Sequence, residues 1–301
     1  MVMVLGIDIG GTHSRARLCA DGETIAESQA GSVSIPAAGR ARAEAALAEL
    51  LAGLPLSETG RLDAVCAGTA GLSVPGTEEF LRARLSPLSR AVEVVSDVML
   101  VLPAAGLDDG VALICGTGSV AVCVRQGRTA QAGGWGYLLG DEGGGYWVVR
   151  EALRVLLRRR DRGQPPGELG SRLLDAAGAA DLAELHRAYF LQPHLPRQWA
   201  SHAHVVIDGA DIDGADPAAA EIVAGAAAAL AALVVTAAER LGAPAALPVV
   251  LAGGLSGSAA FAGAVRRALG TARPGAPFHV LAGPPVAGAV RLAALAAATG
   301  R

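Results

Sequence analysis

The hydrophobic positions of the N-terminal third predict three strands followed by helices and strands in alternation. Short apolar runs predict strands, which lie at residues 2–8, 15–20, 24–30, 63–67 and 92–96. Stretches with helical spacing of apolar residues predict helices at residues 40–54 and 78–85. A turn at Asp21-Gly22 separates the second strand from the third. This order is typical of an α/β fold.

The opening arrangement occurs a second time. An apolar run at residues 111–115 leads into GTGS (116–119), and a strand at 120–125 returns directly from it. In the same way, the first strand of the chain leads into GGT (10–12) before the second strand returns. Two such units, about 105 residues apart, indicate a duplicated fold with two facing halves.

The repeat predicts two domains, with a boundary near Ala105. The halves are then residues 1–104 and 105–301, and a cleft between them is the natural ligand site. The second half is more helical, with helices predicted at residues 145–160, 167–177, 181–191, 217–241, 258–269 and 285–298. Further strands are predicted at 247–252 and 278–281. The last helix either stays with the C-terminal half or packs back on the N-terminal half.

The composition excludes several kinds of chemistry and partner. All 25 Lys+Arg residues are arginine, so a P-loop, a protein-kinase site and a Schiff-base site all lack their lysine. The net charge of −3 and the aromatic content of 3% argue against a nucleic-acid partner. The apolar stretch at 222–238 has 17 residues, fewer than the roughly 20 of a membrane span, and is expected to form a buried helix.

The cysteines and the N-terminal residues favour the cytoplasm. Four cysteines (Cys19, Cys66, Cys115, Cys123) are scattered without the spacing of a zinc ribbon or a disulfide framework. The first residues, MVMVLGIDIGG, lack the positive region and the cleavage site of a signal peptide. We therefore expect a cytoplasmic protein without a membrane partner.

Glycine-rich turns are the candidates for binding phosphate. The turns at 10–12 and 116–119 place bare backbone N–H groups at strand ends, where an anion can dock, although such turns also occur as ordinary hairpins. Asp8, close to Thr12, either holds Mg²⁺ directly or through water, or caps its own turn. Gly253-Gly254 is either a plain strand-to-helix turn or a surface against which a flat base can lie. Its position late in the chain does not fit a dinucleotide-binding fold.

The order of these motifs resembles a known family. The chain contains LGIDIGGT (5–12), SDV (96–98), CGTGS (115–119), GGWGYLLGDEGGGYW (133–147) and LAGGLSGS (251–258), followed by PPVAGAVRLAAL (284–295). This set is similar to the N-acetylglucosamine kinase branch of the BadF/BadG/BcrA/BcrD ATPase family, within the sugar kinase, Hsp70 and actin superfamily. The resemblance implies a two-domain actin-like ATPase fold of the ribonuclease H-like type, with duplicated βββαβαβα halves around a central cleft.

The resemblance also implies roles for individual residues. The phosphates of ATP would be bound by Gly10, Gly11, Thr12, Gly116, Thr117, Gly118 and Ser119, and the adenosine by Gly253 and Gly254. The sugar would be bound by Ser34, Asp97, Gly134, Trp135, Gly136, Asp141 and Glu142. Asp97 would be the catalytic base, kept ionised by the dipole of the helix that it starts, although the same position is typical of a helix N-cap. Mg²⁺ would lie near Asp8, and Trp135 either walls the sugar pocket or packs in the protein.

Some positions depart from the family pattern. Ser34 lies where relatives commonly have an asparagine that contacts the sugar, which leaves the identity of the hexosamine open. His13 follows the first glycine turn and is expected to be solvated. The spacing of His194, His202 and His204 matches no zinc site, so we expect surface or interface residues.

These features predict an ATP- and Mg²⁺-dependent kinase of the 6-hydroxyl of an amino sugar, N-acetylglucosamine first and glucosamine second. The resemblance implies a homodimer.

Three alternative classes of protein fit the sequence less well. The glucose-type kinases that share GIDIGGT carry a cysteine-rich zinc motif and a Glu-His pair, which this sequence lacks. An iron–sulfur activator ATPase presents cysteines to a cluster, and an actin-type scaffold has no use for a sugar-binding block.

Overall fold

The computed structural model describes residues 1–191, 196–211 and 216–299. The chain forms two compact units. Unit 1 contains residues 1–108 and the described residues from Leu281 onward, and unit 2 contains residues 109–280. The boundary therefore lies four residues after the predicted one, and the C-terminal segment belongs to unit 1.

The strands have the following bounds: β1 Met3–Ile9, β2 His13–Ala20, β3 Glu23–Gly31, β4 Leu62–Thr69, β5 Ser89–Ser96, β6 Gly110–Cys115, β7 Ser119–Arg125, β8 Arg128–Gly133, β9 Val249–Ala252 and β10 Phe278–Val280. The helices have these bounds: α1 Ile35–Ala38, α2 Arg40–Ala52, α3 Leu56–Thr59, α4 Thr77–Leu85, α5 Val101–Ala104, α6 Gly145–Asp161, α7 Gly167–Ala177, α8 Leu182–Leu191, α9 Pro196–Ala200, α10 Ala203–Asp211, α11 Pro217–Glu239, α12 Ala259–Ala272 and α13 Val286–Thr299. Short 3-10 helices precede α5 and α12, at Asp97–Leu100 and Gly254–Gly257.

The two units have the same sheet topology. Unit 1 has the strand order β3-β2-β1-β4-β5, and unit 2 has the order β8-β7-β6-β9-β10 when it is taken from the corresponding edge. In each unit the first three strands pair antiparallel, and the last two add in parallel to the first. The predicted duplicated α/β fold is thereby confirmed.

The C-terminal helix α13 packs on the sheet of unit 1. It lies against β1 and β4, and its residues Ala289 and Ala293 are fully buried. Gly6 on β1 allows this approach, because a Cβ there would lie 2.5 Å from the backbone nitrogen of Val290. A Cβ on Gly288 would likewise collide with the carbonyl oxygen of Leu100, at the end of the 3-10 helix. The small residues of α13 thus let backbone meet backbone at two points.

The strand β8 and the helices α9 and α10 are absent from the sequence prediction. The β8 sequence RTAQAG buries only small residues, alanine and glycine, and has few residues of high β-propensity. Alternation of alanine with polar residues gives a weak strand signal, although the strand pairs with β7 along its whole length.

The helix α11 forms part of the core of unit 2. Among the described residues it is the one helix long and apolar enough to cross a membrane by length and composition, with a mean hydropathy of 2.2. It packs against β7, β8, α10 and α12 and buries ten of its side chains or more. Asp216 caps its N-terminus by accepting from the backbone N–H of Ala218 and Ala219. Its apolar character is explained by this packing.

Candidate functional site

The hairpin between β1 and β2 leaves two neighbouring backbone N–H groups without an acceptor. The N–H of Gly10 donates to the carbonyl of His13 at 3.1 Å, which closes the turn. The N–H groups of Gly11 and Thr12 have no acceptor among the residues that the structure describes. Adjacent free donors in a tight turn are an anion-binding arrangement.

The hairpin between β6 and β7 repeats this arrangement in unit 2. The N–H of Gly116 donates to the carbonyl of Gly118 at 3.0 Å. Within the described part of the chain, the N–H groups of Thr117 and Gly118 likewise have no acceptor. Each unit therefore contains one hairpin with two free donors, which is what the two predicted phosphate-binding turns require.

A buried serine follows each hairpin and ties it to a neighbouring segment. Ser14 is fully buried, and its hydroxyl oxygen accepts from the N–H of Val33 at 3.0 Å. Ser119 is 3% exposed, and its hydroxyl donates to the carbonyl of Glu142 at 2.8 Å. Ser119 was expected to bind phosphate, but its side chain is engaged in this bond. Its contribution is to hold the hairpin in place.

Asp8 and Asp97 lie at the same edge of the unit 1 sheet. β1, β4 and β5 run parallel, so their carboxyl ends meet there. Asp97 directly follows β5 and is the first residue of the 3-10 helix, while Ser96 occupies the N-cap position without a side-chain cap bond. The N-cap interpretation of Asp97 is therefore wrong.

The charge of Asp97 acts on Asp8. The pKa of Asp8 is raised to about 6, mainly by burial and further by the charge of Asp97, while the charge of Arg15 lowers it. Arg15 is the cross-strand partner of Asp8 on β2. Asp8 accepts no hydrogen bond among the described residues, so it does not cap its turn.

Asp97 keeps one carboxylate oxygen free. Its Oδ1 accepts from the N–H of Val98 at 2.9 Å and from the hydroxyl of Ser96 at 3.3 Å. No other residue of the described chain donates to its Oδ2, and the backbone N–H of Asp97 itself also interacts with the carboxyl. Burial raises the pKa of Asp97, and these hydrogen bonds only reduce that effect. The expected control by a helix dipole is thus outweighed by burial, because the helix that Asp97 starts has only four residues.

The residues around Asp8 fit a divalent cation that receives most of its ligands from water or substrate. Burial and the charge of Asp97 both raise the pKa of Asp8, and a cation would relieve the cost of its negative charge. No group of three or more His, Cys, Asp or Glu side chains that could hold a metal ion occurs among the described residues. A few protein ligands with several waters are usual for Mg²⁺.

The segment 133–147 is fastened to the unit 2 hairpin. The N–H of Gly145 donates to the carbonyl of Gly116 at 2.8 Å, and that of Tyr146 donates to Thr117 at 3.1 Å. A Cβ on Gly144 would lie 2.7 Å from the Cα of Gly118, so the two backbones touch. The predicted sugar-binding segment and the predicted phosphate-binding turn are therefore one structural element.

Asp141 and Glu142 point into different surroundings. Asp141 has a left-handed backbone, with φ of 58°, and its carboxylate lies against Gly118. Burial raises the pKa of the Asp141 carboxyl, and the N–H groups of Ser119 and Gly136 oppose that shift. The side chain of Glu142 is exposed. The two acidic residues, which the sequence presents as a pair, do not share one environment.

Trp135 is 76% exposed, so it does not pack in the protein. The glycines on either side of it, Gly134 and Gly136, have left-handed backbones with φ of 76° and 81°. Leu138 and Leu139, in the same loop, are 75% and 86% exposed. The loop therefore presents an aromatic ring at the surface, as a sugar-binding wall requires.

Gly253 and Gly254 lie beside the unit 2 hairpin. Gly253 has φ of 99°, and a Cβ there would collide with the carbonyl oxygen of Cys115. The position of a Cβ on Gly116 is 3.7 Å from the backbone nitrogen of Gly254. Both glycines are exposed, so their backbone is open to a flat ligand.

Several other predicted residues are placed by the structure. Ser34 is 2% exposed, and its hydroxyl donates to the carbonyl of Ala70 at 3.3 Å, so the side chain is already engaged. His13 is exposed, His202 stacks near Trp199, and His204 contacts the carbonyl of Ser201. His194 lies outside the described residues.

Two residues near the site were missed by sequence reasoning. Arg15 faces Asp8, and the register of the predicted hairpin contained the signal that could have identified it. Ser32 donates its hydroxyl to the carbonyl of Gly10 at 2.9 Å. No local pattern marks Ser32, because the contact joins residues 22 positions apart.

Comparisons with known proteins identify the fold and the family. A structure of a proposed N-acetylglucosamine kinase from Chromobacterium violaceum aligns with 97% of this chain and 99% of its own, at a TM-score of 0.78 and 25% identity. The fold is thus the actin-like ATPase fold of sugar kinases.

Two curated relatives match parts of the chain. The N-acetylmuramic acid/N-acetylglucosamine kinase of Clostridium acetobutylicum is 29% identical over 175 residues, 54% of this chain and 56% of that protein. The N-acetyl-D-glucosamine kinase of Dictyostelium discoideum is 42% identical over 67 residues, 22% of this chain and 21% of that protein. The matches thus span about half of the first relative and about a fifth of the second.

The sequence profile of the BadF/BadG/BcrA/BcrD ATPases matches residues 5–297, nearly the whole chain. The match includes both hairpins, Asp97 and the segment 133–147. The chain belongs to the BadF/BadG/BcrA/BcrD ATPase family.

Proposed function

We propose that this protein transfers the γ-phosphate of ATP to the 6-hydroxyl of N-acetylglucosamine. The observation that carries the proposal is the placement of Asp97 beside Asp8, with one oxygen of Asp97 free. A free carboxylate oxygen next to a candidate cation site is what a base for a sugar hydroxyl needs. N-Acetylglucosamine is named in both curated relatives, which supports this sugar over others.

Asp97 acts as the general base. The proton of the 6-hydroxyl passes to Oδ2 of Asp97 while the sugar oxygen bonds to the γ-phosphorus and ADP leaves. Because burial raises the pKa of Asp97, the carboxylate holds that proton more readily than an exposed aspartate would. Phosphoryl transfer depends mainly on position and charge, so no covalent intermediate on the protein is needed.

The two hairpins bind the phosphates of ATP through backbone N–H groups. The donors are those of Gly11, Thr12, Thr117 and Gly118, while Gly10, Gly116 and Ser119 hold the turns in shape. The exposed backbone of Gly253 and Gly254 lies against the adenosine. Backbone donors in this number explain how a chain without lysine can bind phosphate.

Mg²⁺ supplies positive charge to the phosphates when it is bound. Asp8 would hold it, directly or through water. Arg15, on the neighbouring strand, lowers the pKa of Asp8 and so favours its ionised form.

The sugar is bound by the loop around Trp135 together with Gly134, Gly136 and Glu142. Asp97 contacts its 6-hydroxyl. Ser34 contributes through the position of its backbone or as a hydroxyl acceptor, because its own proton is donated to Ala70. We also propose that the protein is cytoplasmic and works as a homodimer. Light scattering on the purified protein would test the dimeric state.

N-Acetylmuramic acid is a second candidate substrate, because the Clostridium relative is named for both sugars. Glucosamine is a third, since it lacks only the acetyl group. A coupled assay of ADP release should be run with N-acetylglucosamine, N-acetylmuramic acid, glucosamine and glucose. We expect the highest kcat/KM with N-acetylglucosamine. The absence of sugar-dependent ADP release with all four would contradict the proposal.

A further inference from the structure

In the unit 2 hairpin, a carboxylate lies directly against one of the glycines. The space beside the Cα of Gly118 is filled by the side chain of Asp141, and a Cβ on Gly118 would lie 2.5 Å from Cγ of Asp141. Gly118 does not have a left-handed backbone. The glycine is therefore required here by the neighbouring carboxylate and not by its own φ angle.

The backbone conformation of Asp141 and the contacts of the residues that follow it also fix its side chain in this position. Its backbone adopts φ of 58°, a conformation that is uncommon for residues other than glycine and asparagine or aspartate. The next residues contact the hairpin through the Glu142 carbonyl, which accepts from Ser119, and through Gly144, which touches Gly118. A side chain fixed by the surrounding backbone in a strained conformation often indicates a functional constraint.

The carboxylate lies among backbone donors of the hairpin and its surroundings. The N–H groups of Ser119 and Gly136 interact favourably with it. The N–H groups of Thr117 and Gly118 have no acceptor in the described chain. Asp141 therefore engages the end of the hairpin and leaves its tip open.

We propose that Asp141 is a positioning residue for the nucleotide, which fixes the Gly116–Ser119 turn so that the N–H groups of Thr117 and Gly118 point at a phosphate. The inference rests on the proposed function, because it requires the Gly116–Ser119 turn to bind phosphate. It gives Asp141 a role in ATP binding that is separate from any contact with the sugar. Glu142, whose side chain is exposed, is then the acidic residue of this pair that is available to sugar hydroxyls.

The first test compares Asp141→Ala with Asp141→Asn in direct binding of ADP, without sugar, by calorimetry. Asparagine keeps a carbonyl oxygen for the hairpin N–H groups and tolerates the left-handed backbone, whereas alanine does neither. We expect Asp141→Ala to weaken ADP binding about five- to thirtyfold and Asp141→Asn to change it less than about threefold. Equal binding in Asp141→Ala and wild type would overturn the proposal, as would an equally large loss in both variants.

The second test is a double-mutant cycle with Gly118→Ala. A methyl group at residue 118 displaces the Asp141 carboxylate, so it should weaken ADP binding in the wild-type background and add little in the Asp141→Ala background. Additive losses would mean that the methyl group acts on the phosphate directly, and the proposal would be wrong. If Gly118→Ala does not fold, the comparison of the two Asp141 variants decides alone.

Two controls separate the positioning role of Asp141 from the proposed kinase activity. Asp175, exposed on α7, gives the matched variants Asp175→Ala and Asp175→Asn, which should leave ADP binding unchanged. Failure of the wild type to bind ADP would count against the proposed kinase activity itself. Normal binding in the wild type with no effect at Asp141 would count against the positioning role alone.

Discussion

The charge of Asp97 acts on Asp8 across the edge of the unit 1 sheet and raises its pKa, and the charge of Arg15 opposes this effect. Burial and this repulsion together hold the pKa of Asp8 at about 6. Such an arrangement costs stability in the absence of a bound cation, and structures keep costs of this kind mainly at functional sites.

Replacement of the proposed base should lower turnover and leave nucleotide binding nearly unchanged. Asp97→Asn keeps the shape of the side chain and removes its ability to accept a proton, so kcat should fall by a factor on the order of 10² to 10⁴. Steady-state kinetics with N-acetylglucosamine measure this, and calorimetry measures ADP binding. Glu93→Gln, an exposed change on β5, the strand that precedes Asp97, is the control. Near-normal turnover of Asp97→Asn would mean that the base lies elsewhere.

The pKa of Asp8 predicts a pH-dependent effect of Asp8→Asn on stability. An aspartate with a raised pKa stabilises the folded state below its unfolded pKa, and this contribution is lost as the pH rises through about 6. In EDTA, Asp8→Asn should therefore be more favourable at pH about 7.5 than at pH about 5, by about 1.4 kcal/mol. Urea unfolding at both pH values gives the difference.

Any constant cost of burying the asparagine amide cancels when the two pH values are compared. Asp161→Asn, an exposed change at the end of α6, is the matched control. If the effect of Asp8→Asn on the free energy of unfolding is the same at both pH values, the carboxylate of Asp8 is not electrostatically strained.

The close approach of α13 to the unit 1 sheet predicts that its glycine contacts are intolerant of a methyl group. Gly6→Ala would bring Cβ to 2.5 Å from the Val290 nitrogen, and Gly288→Ala would bring it against the Leu100 carbonyl. Both neighbours are backbone atoms that cannot rotate away, so each variant should lose about 1–3 kcal/mol or more of unfolding free energy.

Chemical denaturation measures this loss. Gly31→Ala is the matched control, because no atom lies within 4 Å of its added Cβ. If neither Gly6→Ala nor Gly288→Ala lowers the free energy of unfolding, α13 does not pack closely on unit 1.

The four cysteines distinguish the kinase from an iron–sulfur activator. Cys19, Cys66, Cys115 and Cys123 are all buried, and burial raises the pKa of each thiol. A thiol reagent should therefore react slowly with the native protein and modify all four cysteines after denaturation. Rapid modification of native protein, or iron bound after anaerobic purification, would favour the activator instead.

The sequence predicted those parts of the fold that depend on strong local signals. The repeated strand, glycine turn and strand identified both hairpins, and the alternation of apolar runs identified most strands of the two sheets. β8 was missed because alanine gives little signal when it alternates with polar residues.

Contacts between distant segments could not be read from the sequence. Two contacts of the site join residues more than 20 positions apart. The Ser34 hydroxyl donates to Ala70, and the Asp141 carboxylate lies against Gly118. The burial that raises the pKa of Asp97 was also not predicted, because it depends on neighbours that the local sequence does not reveal. The chemistry of the site was thus suggested by motifs, while the different surroundings of Asp141 and Glu142 required the structure.

Identification of the product tests the central claim most directly. The wild-type protein should be incubated with ATP, Mg²⁺ and N-acetylglucosamine, and the phosphorylated product located by phosphorus–proton correlation NMR alongside measurement of ADP. The account predicts one equivalent of sugar phosphate per ADP, with the phosphate coupled to the protons on carbon 6. ADP released without a phosphorylated sugar, or phosphate attached to another carbon, would contradict it.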